Sequence, residues 1–304
     1  MAANAKVYQQ ALRAFRAVFF AGMGENSGAW RQLVYQLPGD ATPEDILLFL
    51  TLDVELPRFQ GRREYFQPVF HSIDIQTDEF KKGISIPDRE WRRDRWGVYL
   101  QAVRELGRHV PIAQNRAAWD LLCHGFTGLR GLAYDGQPFF DDQHRASGQA
   151  QRNGWTLRLT PENYDTVYAN LETIRLPNGE LAHGSGSMTT RVLCGPKYRS
   201  LCVRMFDLTH DGNNPHYRQS EYQIIPQLSG PWADYWFLMI ALPGASRPLI
   251  FKEEVAPQFV EQTSPESDAR FDFGDRRFGV DADFGLAYGR WETIQGSTGA
   301  DPAP

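Results

Sequence analysis

The sequence WDLLCHGFTGLRGLAYDGQPFFDDQH, residues 119–144, begins on an apolar helical stripe and ends in a dense group of aromatic and acidic residues. Asp135 and Gly136 are typical turn-forming residues. Phe139 and Phe140 follow closely, and large aromatic side chains are most often buried. The stretch therefore predicts a helix that ends, a turn, and a return of the chain into the protein core.

The acidic end of this stretch also raises the question of a metal site. Asp141, Asp142 and His144 are all ligand types for a divalent cation, but a metal needs three or four ligands that converge in space. The sequence contains no HExxH motif, no DxDxDG loop and no histidine pair at helical spacing. These rules favour a structural turn without metal, cofactor or catalytic residue. The alternative is a soluble metal-dependent hydrolase that uses these three side chains.

The helical stripe extends from this stretch toward the N-terminus. Pro87 and Asp88 form a helix-start signal, and apolar residues then recur at spacings of 4, 3 and 4. The pattern resumes beyond Pro111 and predicts a long helix that is bent or interrupted there. The residues predicted to pack along this helix are Tyr99, Val103, Leu106 and Val110.

A second stripe with the same spacing lies near the start of the chain. It predicts an amphipathic helix that ends near Gly22 and Gly24, and its apolar residues are Tyr8, Leu12, Phe15 and Phe19. Between the two helices, residues 47–87 alternate in the manner of strands around a central turn. They predict a long and largely polar β-hairpin, which is marginal without a surface to lie on.

The second half of the chain mixes helix and strand. Thr160 before Pro161 predicts a helix start. Residues 188–206 predict a strand that closes at Cys194, followed by a helix. Residues 234–242, 248–255 and 277–294 read as further strands, and the tail, residues 296–304, is expected to be disordered. The fold class is α+β.

The amino-acid composition argues against several classes of function. The chain has 304 residues and a formal net charge of −5, which argues against a surface that coats nucleic acid. Its three cysteines lack CxxC spacing, so a disulfide framework is not expected and a reducing compartment is the natural interpretation. No apolar stretch approaches about 20 residues, the length that spans a membrane.

Several stretches, taken in order, resemble the family of the major head subunit of phage Mu and its prophage relatives. The most distinctive is an L-L-x-x-G-F segment followed by Y-D-G-Q-x-F-F-D-x-x-H within residues 119–144. The others are YQQALRAFRAVFFAGM (8–23), LPRFQGRREYF (56–66), residues 71–109, residues 235–254 and FGLAYGRW (284–291). The resemblance covers nearly the whole chain and is weakest around residues 200–235 and at the tail.

This resemblance implies the Hong Kong 97-type capsid fold of tailed phages. Under it, residues 1–50 form an N-terminal arm and residues 51–86 an extended β-hairpin loop. A peripheral domain with a long spine helix combines residues 87–145 and 239–295. The axial domain takes residues 146–238, and residues 296–304 are the disordered tail.

The same resemblance implies a structural role. The chain would self-assemble into hexamers and pentamers of an icosahedral head that encloses double-stranded DNA without sequence-specific contacts. Scaffold, portal and decoration proteins are the implied partners, the virion is the implied location, and assembly would take place in the host cytoplasm without a membrane. An encapsulin-like compartment or a gene-transfer particle is the alternative within the fold.

Two groups of residues carry this interpretation. The extended loop would contact neighbouring subunits through Phe59, Gly61, Arg62, Arg63, Lys81 and Lys82. The structural motif after the spine helix would consist of Tyr134, Asp135, Gly136, Phe139, Phe140 and Asp141.

Overall fold

The computed structural model describes residues 2–25, 28–37, 75–93, 95–146, 148–176, 179, 181–183, 188–208, 214–241, 247–264 and 266–301. Predictions that fall between these ranges, above all on residues 38–74, lie outside the described residues. Within the described ranges, none of the helices combines the length and the apolar character that crossing a membrane requires.

Two long helices pack against each other on one side of the molecule. Helix α1 runs from Ala2 to Gly24, and helix α3 runs from Leu100 to Cys123, after the short helix α2 (Asp88–Arg92) and a 3-10 turn at Trp96–Tyr99. Their apolar stripes face each other, so that Phe15, Phe19, Val103 and Leu106 share one buried cluster. The two predicted helices are confirmed, but the start signal at Pro87 and Asp88 belongs to the separate short helix α2, and the long helix begins at Leu100.

Helix α3 passes through Pro111 without a break. Proline inside a helix removes one backbone hydrogen bond, which is why the sequence predicted a bend or an interruption at this point. Both Val110 and Pro111 are buried in the packed face of α3, and the helix continues for three more turns to Cys123. The predicted interruption is therefore wrong, because tertiary packing holds the helix together across the proline, whereas the predicted bend stays a prediction.

The first sheet has the strand order β1-β9-β10-β2. Its strands are β1 (Val34–Leu37), β2 (Asp78–Pro87), β9 (Leu249–Gln262) and β10 (Asp275–Tyr288), with α6 (Asp268–Phe273) between the last two. Strand β1 runs parallel to β9, whereas β10 is antiparallel to both β9 and β2. The second arm of the predicted hairpin is thus β2, paired along β10, and the first arm lies outside the described residues.

The second sheet has the strand order β5-β11-β8-β6-β7. Its strands are β5 (Gly154–Trp155), β6 (Thr190–Cys194), β7 (Ser220–Ile224), β8 (Trp236–Ile240) and β11 (Ile294–Ser297). Every residue of β8 is buried, as its continuous apolar run predicts. A separate small ribbon pairs β3 (His144–Ala146) with β4 (Gln149–Gln151).

Two further helices flank the second sheet. Helix α4 (Pro161–Thr173) starts as predicted, with the Thr160 hydroxyl accepting a hydrogen bond from the Asn163 backbone N–H at 3.2 Å. Strand β6 is followed at Gly195 by a 3-10 turn, helix α5 (Arg199–Cys202) and a π-helical turn (Val203–Asp207). The predicted strand and helix around Cys194 are confirmed.

The end of the chain differs from the prediction. The expected disordered tail is wrong for residues 296–301, because Gly296 and Ser297 belong to β11 and Asp301 is bonded to the segment after β5. The Thr156 hydroxyl donates to Asp301 at 2.7 Å, and the Asp301 backbone N–H donates to the Thr156 carbonyl at 3.0 Å. Turn-rich composition predicted disorder, but a strand edge supplies partners that composition does not reveal.

Two of the predicted domain boundaries fall inside strands. The boundary at 238/239 falls inside β8 and the boundary at 295/296 inside β11, although both strands belong to one sheet. One continuous apolar cluster reaches from Phe251 and Phe284 of the first sheet to Val192 and Phe237 of the second. The division into arm, loop, peripheral and axial regions stays a prediction.

Candidate structural and assembly sites

The loop after α3 is held by hydrogen bonds that close a tight turn. Gly136 has a φ of 81°, which is left-handed backbone that favours glycine. The Ala133 backbone N–H donates to the Gln137 carbonyl at 2.8 Å, and the Gln137 N–H donates to the Asp135 carboxylate at 3.2 Å. Asp135 and Gly136 therefore form the turn that their residue types predict.

The two phenylalanines that follow the turn enter the core. Phe139 is fully buried and stacks on Tyr288 of β10, with ring centroids 4.6 Å apart. Phe140 stacks on Phe126 at 4.6 Å and packs against Phe237 of β8 at 5.5 Å. The pair thus contacts one strand of each sheet, and joins the end of α3 to both.

Asn153 forms hydrogen bonds with the backbone on either side of Phe140. Its buried side chain accepts a hydrogen bond from the Asp141 backbone N–H at 3.0 Å and donates to the Phe139 carbonyl at 2.9 Å. It also donates to the Trp291 carbonyl at 3.3 Å. One amide side chain therefore ties the loop to the C-terminal segment.

A buried polar contact links Tyr134 to the same C-terminal segment. The Tyr134 hydroxyl donates to the Glu292 carboxylate at 2.6 Å, and Arg290 donates to the same oxygen at 3.3 Å. Burial, and then the negative charge of Glu292, raise the pKa of Tyr134. The phenol consequently stays protonated as a hydrogen-bond donor at neutral pH.

His144 is fully buried between an acid and an aromatic ring. Its Nδ1 lies 2.6 Å from the Asp135 carboxylate, and its ring stacks on Trp291 with centroids 4.2 Å apart and an interplanar angle of 5°. The histidine thus closes the turn that Asp135 begins, nine positions earlier in the chain.

The three residues that suggested a metal site, Asp141, Asp142 and His144, each contact a different partner. Asp141 accepts the Gln143 backbone N–H at 2.7 Å, whereas Asp142 lies 3.0 Å from Arg152 and His144 faces Asp135. A hydrogen bond from Gln143, followed by one from Arg152, lowers the pKa of Asp142. In the part of the chain that the structure describes, no three His, Cys, Asp or Glu side chains converge as metal ligands would. The three side chains thus make separate contacts within the loop and its surroundings.

The predicted packing residues of the long helix lie on its inner face. Val103, Leu106 and Val110 are buried, and Tyr99 packs against the same apolar cluster from the preceding 3-10 turn. This cluster also receives Phe278 of β10. The helix is therefore clamped between α1 and the first sheet.

Of the predicted inter-subunit residues, only two fall on described positions. Lys81 and Lys82 lie exposed on β2, opposite Asp281 and Val280 of β10. Lys81 donates to Glu79 at 2.7 Å, and this hydrogen bond raises the pKa of Lys81. Phe59, Gly61, Arg62 and Arg63 lie outside the described residues.

Sequence reasoning missed three residues that complete the loop contacts. Asn153, Trp291 and Glu292 are all buried, and each contacts the 134–144 loop. Trp291 is the last residue of FGLAYGRW, a stretch that the resemblance already marked, and Glu292 follows it directly. Asn153 gave no such signal, because its partners lie far from it in sequence.

Comparison with solved structures defines the class of the fold. The procapsid of bacteriophage JBD30 superimposes with a TM-score of 0.54 at 15% identity, over 96% of this chain and 75% of that chain. The capsid of cyanophage P-SCSP1u gives a TM-score of 0.53 at 6% identity, over 82% of this chain and 80% of that chain. The architecture is the Hong Kong 97-type capsid fold of tailed phages.

Comparison of sequences identifies the family within this fold. The family model described as Mu-like prophage major head subunit gpT matches residues 8–175 and 202–300. The chain belongs to this family. The major capsid protein of Escherichia phage Mu is 22% identical over 237 residues, which is 78% of this chain and 56% of that protein. The chain therefore spans little more than half the length of this curated relative.

Proposed function

We propose that this chain is the major capsid subunit of a Mu-like bacteriophage or prophage. It assembles into hexamers and pentamers of an icosahedral head that encloses double-stranded DNA. The observation that carries the proposal is the family match on both sides of residues 176–201, combined with a capsid fold that covers 96% of the chain.

The site geometry supports a structural role over the metal-dependent hydrolase. The three candidate ligands Asp141, Asp142 and His144 each have a different protein partner, and their contacts build the loop. A hydrolase would need these side chains to face one shared position. The buried links around residues 134–144 instead hold two sheets and a helix in fixed relation, which suits a subunit that must tile a shell.

The assembly contacts of the proposal centre on the ribbon that contains β2. Lys81 and Lys82 are exposed on this strand, and the chain as a whole is acidic, with a net charge of −5. Exposed lysines on an acidic protein fit contact with a second copy, because opposite charges steer and orient association. Each contact is weak by itself, and a closed shell multiplies it through effective concentration.

The remaining partners follow from the proposed role. The partners proposed for such a shell are a scaffold protein, a portal protein through which DNA enters, and decoration proteins on its outer surface. The virion is the proposed location, with assembly in the host cytoplasm. Packaged DNA would meet the acidic shell by non-specific contact only.

Electron microscopy of the purified chain, after size-exclusion chromatography, tests the proposal. Shells, tubes or capsomer rings are the expected result, from the chain alone or on co-expression with a candidate scaffold protein. A monodisperse monomer under both conditions, with stoichiometric bound metal, would contradict the proposal and return the hydrolase to first place. Particles filled with protein cargo instead of DNA would indicate an encapsulin-like compartment.

A further inference from the structure

Two of the three cysteines lie in contact inside the second sheet region. Cys194 is the last residue of β6 and Cys202 the last residue of α5, and their sulfur atoms are 3.4 Å apart. Both side chains are fully buried. All three cysteines are described, and Cys123, buried at the end of α3, has no such sulfur contact.

The local fold brings these two thiols together through a compact reversal of the chain. The Cys194 carbonyl is held by the Ile225 N–H at 2.8 Å, which fixes the end of β6 beside β7. Gly195 and Pro196 then begin a 3-10 turn that leads directly into α5. The chain therefore folds back on itself between Cys194 and Cys202, and both side chains point into the same cluster.

We propose that Cys194 and Cys202 form a redox modification site, in which the two thiols are oxidised to an intrachain disulfide once the subunit leaves reducing surroundings. A disulfide needs sulfur atoms about 2.05 Å apart, so the two sulfur atoms must move closer by little more than an ångström. The sequence spacing alone did not suggest this pairing, because it lacks the CxxC pattern.

The oxidant is a small-molecule disulfide, the chemical class of oxidised glutathione. One cysteine thiolate attacks it and releases one thiol, and the second cysteine then attacks the mixed disulfide and releases the other thiol. Two protein S–H bonds are lost and one protein S–S bond forms. The two electrons reduce the S–S bond of the oxidant to two thiols, which take up the two protons.

Burial of the two thiols makes their oxidation slow and dependent on local opening of the chain. The hydrogen bond with Cys202, and then burial, raise the pKa of Cys194, so that little reactive thiolate exists at neutral pH. Exchange also requires local opening of residues 195–208, which are built from short 3-10, α and π turns rather than one long helix. The pair therefore stays reduced during synthesis and is oxidised later.

The consequence would be a covalent link between the end of β6 and the segment that follows it. If the chain is a capsid subunit, the change would accompany the passage of the particle from a reducing cytoplasm to an oxidising exterior. Only this timing rests on the proposed function. The chemistry of the pair does not require assembly.

Peptide mapping of the full chain tests the inference directly. Lys197 and Arg199 lie between the two cysteines, so trypsin separates residues 192–197 from residues 200–204. After equilibration in oxidised glutathione and alkylation of the remaining thiols, we expect these two peptides to be recovered as one linked species. Reduction should release them. Cys123→Ser should retain the linked species and Cys202→Ser should lose it.

The incubation is repeated in denaturant just below the unfolding transition, so that slow access to the buried sulfurs cannot mimic a negative result. Recovery of both peptides unlinked under both conditions, or as separate glutathione adducts, would overturn the inference. Because the readout is a pair of peptides, a chain that forms no particles can still give the linked species. Failure here and failure of the capsid assignment are thus distinguishable.

Discussion

At the scale of single residues, Asn153 holds the loop and the C-terminal segment together. Its buried amide accepts one hydrogen bond and donates to the carbonyls of three residues, Phe139, Trp291 and Ile294. Removing a side chain of this kind leaves buried backbone groups without a partner, which costs more than the hydrogen bonds themselves contribute. The residue is therefore a sensitive probe of the loop.

We expect Asn153→Ala to lower the free energy of unfolding by about 2 kcal/mol, because the Asp141 N–H and the Phe139 carbonyl lose their partner in the core. Chemical denaturation monitored by tryptophan fluorescence measures the change. Gln143→Ala, at an exposed position of the same loop, is the matched control and should stay within about 0.5 kcal/mol of the parent. Equal stability of the two variants would contradict the role given to Asn153.

Tyr134 gives the loop a dependence on alkaline pH. Its pKa is raised in the folded state, first by burial, so the folded chain holds this proton more tightly than the unfolded chain does. The contribution of protonated Tyr134 to the free energy of unfolding is fully present below the pKa of an unfolded tyrosine, about 10. This contribution decreases as the pH rises above that value. Burial also raises the pKa of Tyr288.

Stability measured between neutral pH and pH 11 should therefore fall, and Tyr134→Phe should reduce the steepness of that fall. Tyr288→Phe should have a similar effect, since the same argument applies. A parallel pH profile for Tyr134→Phe and the parent chain would show that this phenol does not titrate differently in the two states.

The sequence revealed part of this site and concealed the rest for a physical reason. Asp135, Gly136, Phe139 and Phe140 have local signals, since turn formers and aromatic residues have strong preferences of their own. A buried amide such as Asn153 has none, because its preference is set by partners 12 to 14 positions away, at Asp141 and Phe139, and by Trp291. Burial of His144 beside Asp135 is equally a product of tertiary structure.

At the scale of elements, glycine explains how α1 and α3 approach each other. A Cβ placed on Gly107 would collide with the Phe19 carbonyl, and one placed on Gly22 would collide with the Arg104 carbonyl. The sequence predicted that α1 ends near Gly22 and Gly24, and the helix ends at Gly24. Gly22 is thus the crossing point of two helices rather than a stop signal.

Gly107→Ala should lower the free energy of unfolding, even though alanine favours an exposed helix over glycine by about 1 kcal/mol. The backbone of α1 must move away from α3 to admit the new methyl group, which loosens the packing around Phe19. Gly24→Ala is the matched control, because a Cβ there meets nothing within 4 Å. A Gly107→Ala chain as stable as the control would show that the helices do not need this close approach.

The elements themselves were largely predictable, whereas their ends and pairings were not. Periodicity predicted both long helices and the buried strand β8, since each buries one continuous apolar face or run. Strand β9 extends seven residues beyond the predicted Val255, to Gln262, because β10 continues to pair with it there. Pairing with a distant strand leaves no mark on the sequence of one strand alone.

At the scale of the whole molecule, the two sheets share a core and cannot be assigned to separate units by sequence breaks. The aromatic pair of the 134–144 loop contacts β10 of one sheet and β8 of the other. The resemblance implied domain boundaries that fall inside β8 and β11, where the chain in fact runs straight through a sheet. The resemblance to a family predicted the overall fold correctly, where local patterns alone gave only the class α+β.

The proposed assembly depends on contacts that are separate from this core, and Lys82 allows the two to be tested apart. It is exposed on β2, so Lys82→Glu should leave the free energy of unfolding within about 0.5 kcal/mol of the parent. Reversing its charge should nevertheless reduce the fraction of chain found in particles, because a favourable contact with an acidic neighbour becomes repulsive.

Sedimentation of the expressed protein, followed by electron microscopy of the pelleted fraction, measures this effect. Lys82→Arg keeps the charge and should assemble like the parent, and added salt should narrow the difference between the two variants because it screens exposed charges. If Lys82→Glu assembles as well as Lys82→Arg at low salt, the β2 ribbon does not meet an acidic surface at this position. If Lys82→Glu lowered both the free energy of unfolding and the fraction assembled, Lys82 would instead contribute to the folding of the subunit itself.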